Sequence, residues 1–146
     1  MNLNKKKLQD KIHSSIPISE QMGYEIIDIS ETVIDTCAPL QLNINVHQTG
    51  FAGSLYSIAV LTTWSLSHHA IAIHHLDASL VVAKASIDYH SPVESDIECH
   101  CEVAADEMSK FINTLQQGRR ARLTLEVAIN KDKARMTALM VATPMN

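Results

Sequence analysis

The sequence has no surplus of basic residues, no long apolar run and few cysteines, and each shortage excludes a class of protein. Among 146 residues, 12 Lys and Arg stand against 16 Asp and Glu, so the net charge of −4 gives no reason to expect a nucleic-acid partner. No apolar stretch reaches the ~18 residues of a membrane span. The basic run at 5–7 is not followed by an apolar segment, so no secretory signal is predicted. We therefore expect one domain over residues 1–146, cytoplasmic and without a membrane partner.

Cysteine is scarce: the chain has only Cys37, Cys99 and Cys101. An odd number in a chain of this length argues against a disulfide framework and fits a reducing compartment. Cys99 and Cys101 would share one face of a strand and could supply two metal ligands. A core position fits them better, because a free cysteine packs as a small hydrophobic side chain.

Charged residues are absent from Thr36 to Leu76. The central part of this segment is apolar or small around most of its circumference, and a helix that lacks a charged face is a buried helix. Gly50 and Gly53 mark its start, and Ser54 is a candidate cap. The pattern predicts a buried helix that ends at about His69 or several residues beyond.

Outside that helix, apolar residues follow two periods. Residues 5–16 have apolar side chains four apart, which predicts an amphipathic helix that Pro17 ends or breaks. Alternating polar and apolar side chains predict six strands, the last two forming a hairpin. The strands are expected at 24–30, 32–38, 79–90, 96–104, 120–129 and 134–143. In the third strand we assign one face to Val81, Ala83, Ala85, Ile87 and Tyr89.

The predicted order is therefore helix, two strands, buried helix, four strands. A sheet with one polar face must cover its other face, and the charge-free helix is the only candidate for that cover. This pattern predicts an α+β hotdog fold, a curved antiparallel sheet wrapped around one buried central helix. The open sheet edges also predict pairing with a second copy, a homodimer, and leave open a dimer of dimers.

Two segments resemble hotdog-fold thioesterases. Residues 45–59 resemble the opening of their central helix, with Asn45 six residues before the triplet Phe51-Ala52-Gly53. Residues 85–103 resemble the following strand pair, with its Asp-Tyr-x-x-Pro. The chain is particularly similar to the thioesterase-like domain at the C-terminus of bacterial YiiD-type proteins. This resemblance implies hydrolysis of an acyl thioester of coenzyme A or an acyl carrier protein. No separate cofactor is implied, since CoA or phosphopantetheine is part of the substrate.

The start of the buried helix supplies a candidate oxyanion site. Its first N–H groups have no partner within the helix and lie at the positive end of the helix dipole. The small residues Ala52 and Gly53 allow a carbonyl to approach the backbone. We expect the Gly53 N–H, helped by Ser54, to hold the oxyanion, with Phe51 and Ala52 beside the substrate. The alternative is that the glycines only make a tight turn.

Polar residues before the helix are the other site candidates. The resemblance implies that Asn45 orients the attacking water or the thioester carbonyl, and the alternative is an Asn that forms a turn. His47 and Gln48 are nearby polar substitutes. Arg119 and Arg120 are candidates for binding the carrier's phosphates, because arginine pairs well with phosphate, or they form a solvated surface.

The helix lacks the acidic residue that related thioesterases often have about two turns in. Val60 stands at the matching position. Thr62 or Thr63 could hold a water there, although threonine is a poor base. A base could also come from Asp88 or from a second subunit. Because the helix has no acidic residue, we rank hydratase chemistry below thioester hydrolysis. The alternative function is a noncatalytic domain that binds acyl thioesters.

Four histidines follow in two pairs, His68-His69 and His74-His75. On a helix, His68 and His75 point the same way but lie about 10 Å apart, too far for one metal ion to join them alone. The pairs fit a helix end and the loop after it, where a protonated histidine favours the negative pole of the dipole. The sequence predicts no metal site.

Overall fold

The computed structural model describes residues 3–145, which form four α-helices and one six-stranded antiparallel sheet. The strand order across the sheet is β1-β2-β4-β5-β6-β3, so β1 and β3 are its edges. In chain order the elements are α1 (Leu3–Ser15), α2 (Pro17–Gln21), β1 (Glu25–Ile29), β2 (Val33–Ala38), a 3₁₀ turn (Leu40–Leu42), α3 (Ala52–Ile73), β3 (Ala78–Tyr89), β4 (Ile97–Glu102), α4 (Ala105–Gln116), β5 (Ala121–Ile129) and β6 (Ala134–Pro144).

Helix α3 is the centre of the core and packs against every strand from β2 to β6. Ile58, Leu66 and Ala70 have no exposed surface at all. Its buried hydroxyls bond the backbone one turn earlier, as Ser65 Oγ does to the Leu61 carbonyl at 2.6 Å, so they need no charged partner. The predicted α+β architecture, a sheet wrapped around one central helix, is confirmed, and the fold is a hotdog.

One stripe of α3 is not covered within this chain. Tyr56 is exposed, and Val60, Trp64 and His68 are partly buried. These residues are four apart and therefore lie on one side of the helix. The prediction that the helix is buried all round is wrong along this stripe, because a side chain can be uncharged and still face outward.

Two further helices depart from the predicted order of elements. The first helix does end before Pro17, but Pro17 then begins α2, since proline suits the first helical position. Helix α4 separates β4 from β5, where the predicted order has none. Its buried side chains have the spacing of an amphipathic helix; they are Met108, Phe111, Ile112 and Leu115.

Strand β3 contains a bulge that changes which side chains face the core. The register against β6 shifts between Val82 and Lys84. Leu80 and Val82 pack against the core before the shift, and the strand continues inward with Ala85 and Ile87 after it. The predicted single face is therefore wrong for Val81, which is 51% exposed, and for Ala83, because a bulge sets two residues against one on the partner strand.

The alternation predicted for β4 and β5 is confirmed, and with it the core position of two cysteines. Cys99 and Cys101 are buried free thiols, and burial raises the pKa of each to about 12. They behave as small hydrophobic side chains. No helix in the described part of the chain has the length and apolar character needed to cross a membrane.

Candidate functional site

The loop before α3 is closed by the side chain of Asn45. Its Oδ1 accepts the backbone N–H groups of His47 at 2.9 Å and Thr49 at 3.1 Å. Its Nδ2 donates to Thr49 Oγ1 at 2.9 Å, and its N–H donates to the Thr49 carbonyl at 2.8 Å. A short amide side chain suits this role because it can bond backbone groups a few residues on. Asn45 thus forms the turn, one of the two roles expected for it.

Helix α3 begins without a polar cap. Its cap residue is Phe51, and no side chain bonds the first turn, so the prediction that Ser54 caps the helix is wrong. Among residues 3–145, no hydrogen bond occupies the N–H groups of Ala52, Gly53 and Ser54. Ala52 and Gly53 are exposed. Their N–H groups remain without a partner in the described chain, at the positive end of the helix dipole.

The two segments that resemble thioesterases in sequence meet at this helix start. The Gly50 N–H donates to the Val93 carbonyl at 2.8 Å, and the Tyr89 hydroxyl donates to the Ala52 carbonyl at 2.8 Å. A Cβ at Gly50 would lie 3.2 Å from the Val93 Cβ and 3.1 Å from Leu55 Cδ2. Glycine at position 50 therefore allows the loop to lie directly on the segment after β3.

An open cleft of about 430 Å³ lies between the loop, the start of α3 and the end of β3. Its walls include Ala52 together with the apolar residues Leu55 and Val93. No Asp or Glu of the described residues lines it. The polar side chains that do line it are Asn45, His47, Thr49, Tyr89, His90 and Ser91.

Several residues predicted for the site lie together here. Asn45, His47 and Ala52 line the cleft, and Gly53 and Ser54 follow Ala52 at the open helix start. The ring of Phe51 lies against the Cα of Gly53, since a Cβ at position 53 would be 2.6 Å from Phe51 Cε2. Gln48 is exposed, does not line the cleft, and occupies the left-handed region at φ 63°.

The two threonines of α3 are not part of this cleft. Thr62 has no exposed surface, donates to the Ile58 carbonyl at 2.7 Å and shares a hydrogen bond of 2.8 Å with Thr36. Thr63 is equally buried and donates to the Val60 carbonyl at 2.7 Å. Both hydroxyls are hydrogen-bonded inside the core, and neither residue lines the cleft.

Asp88 is exposed on β3, where it faces Arg135 of β6 across the ladder. Its neighbour Tyr89 reaches α3 instead. Because successive side chains of a strand point to opposite faces, Asp88 points away from the cleft of its own chain.

Arg119 and Arg120 are exposed in the turn before β5 and do not line the cleft. Ala121, the first residue of β5, pairs with Ala142 of β6, and Ala142 also pairs with Leu80 of β3. Leu80 lies near the start of β3 and Tyr89 is at its end. The two arginines are therefore at the opposite end of the sheet from the cleft.

Tyr89 and His90 line the cleft but were not predicted as site residues. Burial and the nearby Tyr56 raise the Tyr89 pKa, so its hydroxyl keeps its proton and remains a donor. His90 Nδ1 lies 2.9 Å from the Asp132 carbonyl oxygen. The signal for both was the Asp-Tyr-x-x-Pro segment, in which the strand's alternation selects Tyr89 rather than Asp88.

An apolar groove runs along the open stripe of α3. It measures about 240 Å³ and lies between α3 and the segment around α2. Tyr56, at one end, is one helical turn beyond Ala52 and close enough to Tyr89 to affect its pKa. The side chains that line the groove include Ile16, Ile18, Met22, Tyr56, Val60 and Trp64.

The four histidines lie at the far end of α3. His68 and His69 are in the helix, His74 is its C-cap and His75 is in the turn, so the predicted helix end and following loop are confirmed. His74 Nε2 is 2.6 Å from Glu31 Oε1. In the described part of the chain, no group of three or more His, Cys, Asp or Glu side chains is placed to hold a metal ion.

The sheet wrapped around α3, with an open helix start beside a cleft, defines the class of protein as a hotdog-fold domain. The sequence profile of the family described as "Putative thioesterase (yiiD_Cterm)" matches residues 5–140. The chain belongs to this YiiD C-terminal thioesterase family, as its resemblance in sequence predicts. Membership supports a thioesterase-like function in general terms.

Solved structures agree with this assignment. A "putative thioesterase" from Shewanella oneidensis is 34% identical, with a TM-score of 0.88 over 99% of this chain and 100% of that one. A protein of unknown function from Chlorobaculum tepidum is 27% identical, with a TM-score of 0.91 over 97% and 94% of the two chains. The Escherichia coli PaaI protein, 13% identical with a TM-score of 0.62 over 98% and 94%, shares the fold.

Proposed function

We propose that this protein hydrolyses acyl thioesters in the cleft at the start of α3. One observation supports the proposal: the N–H groups of Ala52, Gly53 and Ser54 have no hydrogen-bond partner among the described residues, and Ala52 lines that cleft. Backbone donors aimed at a developing negative charge are a common means of stabilising the tetrahedral intermediate of acyl transfer. Here the helix dipole adds to them.

The reaction needs one water and no redox partner. The water oxygen attacks the thioester carbonyl carbon, and the carbonyl oxygen becomes an oxyanion held by the Gly53 N–H. The intermediate then collapses, the C–S bond breaks, and the thiolate takes up the proton that the water gave to the base. The products are a carboxylic acid and a free thiol.

His90 is the residue of the cleft that best suits the role of base. Its Nδ1 lies within hydrogen-bond distance of the Asp132 carbonyl, which accepts a proton but cannot donate one. In the neutral ring Nδ1 therefore carries the hydrogen, and Nε2 is left as the acceptor for a proton from water. A carboxylate from a second subunit is the competing source.

The apolar groove beside α3 is the proposed site of the acyl chain. It begins one helical turn from the helix start, which is where the carbonyl would be held. The carrier is coenzyme A or the phosphopantetheine of an acyl carrier protein, with no other cofactor. The free thiols of Cys37, Cys99 and Cys101 are consistent with our placing the reaction in the cytoplasm.

A second copy of the chain is part of the proposal. Strand β3 has 12 residues and pairs with β6 on one side only within residues 3–145, and an unpaired edge of this length favours pairing with another strand. Antiparallel pairing of two β3 strands would place the Leu80 end of one beside the Tyr89 end of the other. The Arg119 and Arg120 of the second copy would then approach this cleft, where they could bind the carrier's phosphates.

Thiol release from a panel of acyl-CoA and acyl-carrier-protein thioesters tests the proposal. Gly53→Pro removes the proposed oxyanion donor in the first helical turn, which tolerates proline. We expect it to lower kcat by about 10²–10³. Gly53→Ala keeps the N–H and crowds only the end of the Phe51 ring, so its loss should stay below about tenfold. Equal activity in wild type and Gly53→Pro, with folding checked by circular dichroism, would refute this oxyanion site.

A noncatalytic domain that binds acyl thioesters is the second candidate. It is favoured by one observation, the lack of an Asp or Glu among the described residues that line the cleft. Calorimetric binding of acyl-CoA without release of thiol, on carrier-protein thioesters as well, would support it and exclude the hydrolase.

A further inference from the structure

The Tyr89 hydroxyl bonds the backbone at the one point where α3 is proposed to act on substrate. Its Oη lies 2.8 Å from the Ala52 carbonyl oxygen. Tyr89 is 48% exposed at the end of an edge strand, so this bond is not required to satisfy a buried hydroxyl. Satisfying a buried group therefore does not explain why Tyr89 of β3 bonds the Ala52 carbonyl of α3, and a functional role would explain this bond.

The Ala52 carbonyl and the Gly53 N–H belong to the same peptide group. A peptide unit is planar, so fixing the direction of its C=O also fixes the direction of its N–H. A donor at the carbonyl oxygen also polarises the unit and strengthens the N–H as a donor, because linked hydrogen bonds reinforce one another. The Tyr89 hydroxyl can thus aim and strengthen the Gly53 donor without touching substrate.

The geometry of β3 suits Tyr89 to this role. The Tyr89 backbone pairs with Ala134 of β6, which anchors the phenol to the sheet. The following N–H, that of His90, donates to the Lys133 carbonyl at 2.8 Å. The bond therefore joins a rigid strand to a helix turn that has no cap of its own. The raised pKa of Tyr89 keeps the hydroxyl protonated, as a donor must be.

We propose that Tyr89 is a positioning residue for thioester hydrolysis, which sets the Gly53 N–H through its hydrogen bond to the Ala52 carbonyl. This proposal rests on the function proposed above. The proposal gives β3 a role in the oxyanion site. Without it, only α3 would contribute to that site.

Steady-state thiol release from the best acyl-CoA of the panel gives the first test. Tyr89→Phe removes only the hydroxyl, and we expect kcat to fall about tenfold with KM nearly unchanged, because the oxyanion exists only after attack. Ser86→Ala, on the exposed side of the same strand, is the matched control and should retain wild-type kcat. A kcat for Tyr89→Phe equal to that of the control would overturn the proposal.

Nuclear magnetic resonance of the substrate-free protein gives the second test. The sequence has only four glycines, so labelling with ¹⁵N-glycine yields four amide signals, and loss of one in Gly53→Ala assigns Gly53. In Tyr89→Phe the Gly53 amide proton should move upfield, while Gly118, exposed in the turn before β5, should not shift. A tyrosine that contacted substrate directly would lower kcat but leave the Gly53 signal in place, and that result would also overturn the proposal.

The two proposals fail in different ways. A wild-type protein that releases no thiol from any substrate refutes hydrolysis itself. An active wild type whose kcat or Gly53 signal is unchanged by Tyr89→Phe refutes only the role of Tyr89.

Discussion

The two ends of α3 differ in how their backbone groups are satisfied. At the C-terminal end, the His75 N–H donates to the Ala72 carbonyl at 3.0 Å and the Leu76 N–H donates to the Ile71 carbonyl at 3.2 Å. His75 adopts φ 55°, and together these features form a Schellman motif. The carbonyls that a helix end normally leaves unpaired are thus bonded within the chain.

The N-terminal end has no equivalent closure. Phe51 occupies the cap position, where a Ser, Thr, Asn or Asp would contribute about 1 kcal/mol to stability. The Asn nearest to it in the sequence, Asn45, uses its amide to hold the preceding loop instead. The fold therefore closes the end of the helix that lies away from the cleft and leaves donors free at the end that lines it.

Asn45→Ala should have the largest effect on the open end of α3, because the loop before the helix would lose the hydrogen bonds that Asn45 makes within it. We expect the free energy of unfolding to fall by about 1–3 kcal/mol and kcat/KM to fall at least ~10-fold. Urea unfolding and thiol release measure the two effects. Asn45→Asp keeps the Oδ1 acceptor and should lose less of both. Full activity in Asn45→Ala would show that the open end does not depend on the loop.

Low pH should destabilise the fold through His68, which lies in the C-terminal half of α3. His68 stacks on Trp64 with ring centroids 4.7 Å apart, and burial, with lesser repulsion from Lys11 and His69, lowers its pKa from 6.5 to about 4. The unfolded chain then binds more protons between these values, so stability is full above pH 6.5 and declines as the pH falls towards 4. The whole shift would amount to roughly 3 kcal/mol, and solvent at this partly exposed ring reduces the expected loss to about 1 kcal/mol.

Urea unfolding between pH 4 and 8, followed by the fluorescence of Trp64, the single tryptophan of the chain, measures this loss. Other groups titrate in the same range, so the informative quantity is the difference between wild type and His68→Gln. The variant should lose less stability in acid. Identical pH profiles would contradict the lowered pKa of His68.

The smallest change that we expect is a gain in stability at the C-terminal end of α3. His75→Gly relieves a left-handed conformation that glycine adopts freely, and should raise the free energy of unfolding by about 0.5–1 kcal/mol. His75→Ala keeps a Cβ and should give no such gain. Thiol release should be unaffected by either, since position 75 is far along α3 from the cleft. A change in kcat would show that the two ends are coupled.

The sequence is most informative where one physical cause decides the outcome. The absence of charge from Thr36 to Leu76 identifies the central helix, and alternation places Cys99 and Cys101 in the core. Helix α4 could also have been predicted from the spacing of its apolar residues. The bulge in β3 was not, because Val81 and Ala83 are as apolar as the residues that replace them on the inner face.

The candidate site was predictable only in part, for a similar reason. Ala52 and Gly53 are indicated by small size at a helix start, and the structure places both there. Thr62 was a candidate because the sequence shows that it has a hydroxyl. The sequence does not show that this hydroxyl is hydrogen-bonded to Thr36. Tyr89 is placed by a contact between segments 37 residues apart, and no local pattern encodes such a contact.

The strand order has a consequence for how the chain folds. Strand β3 is the third strand along the sequence, but its only neighbour in the described sheet is β6, the last. Its ladder therefore cannot form until some 45 further residues have been made, and pairing over such distances is slow. During that interval both sides of a 12-residue strand are bare, which makes the nascent chain vulnerable to aggregation. Truncation within β6 should therefore lower soluble yield during synthesis far more than shortening α1.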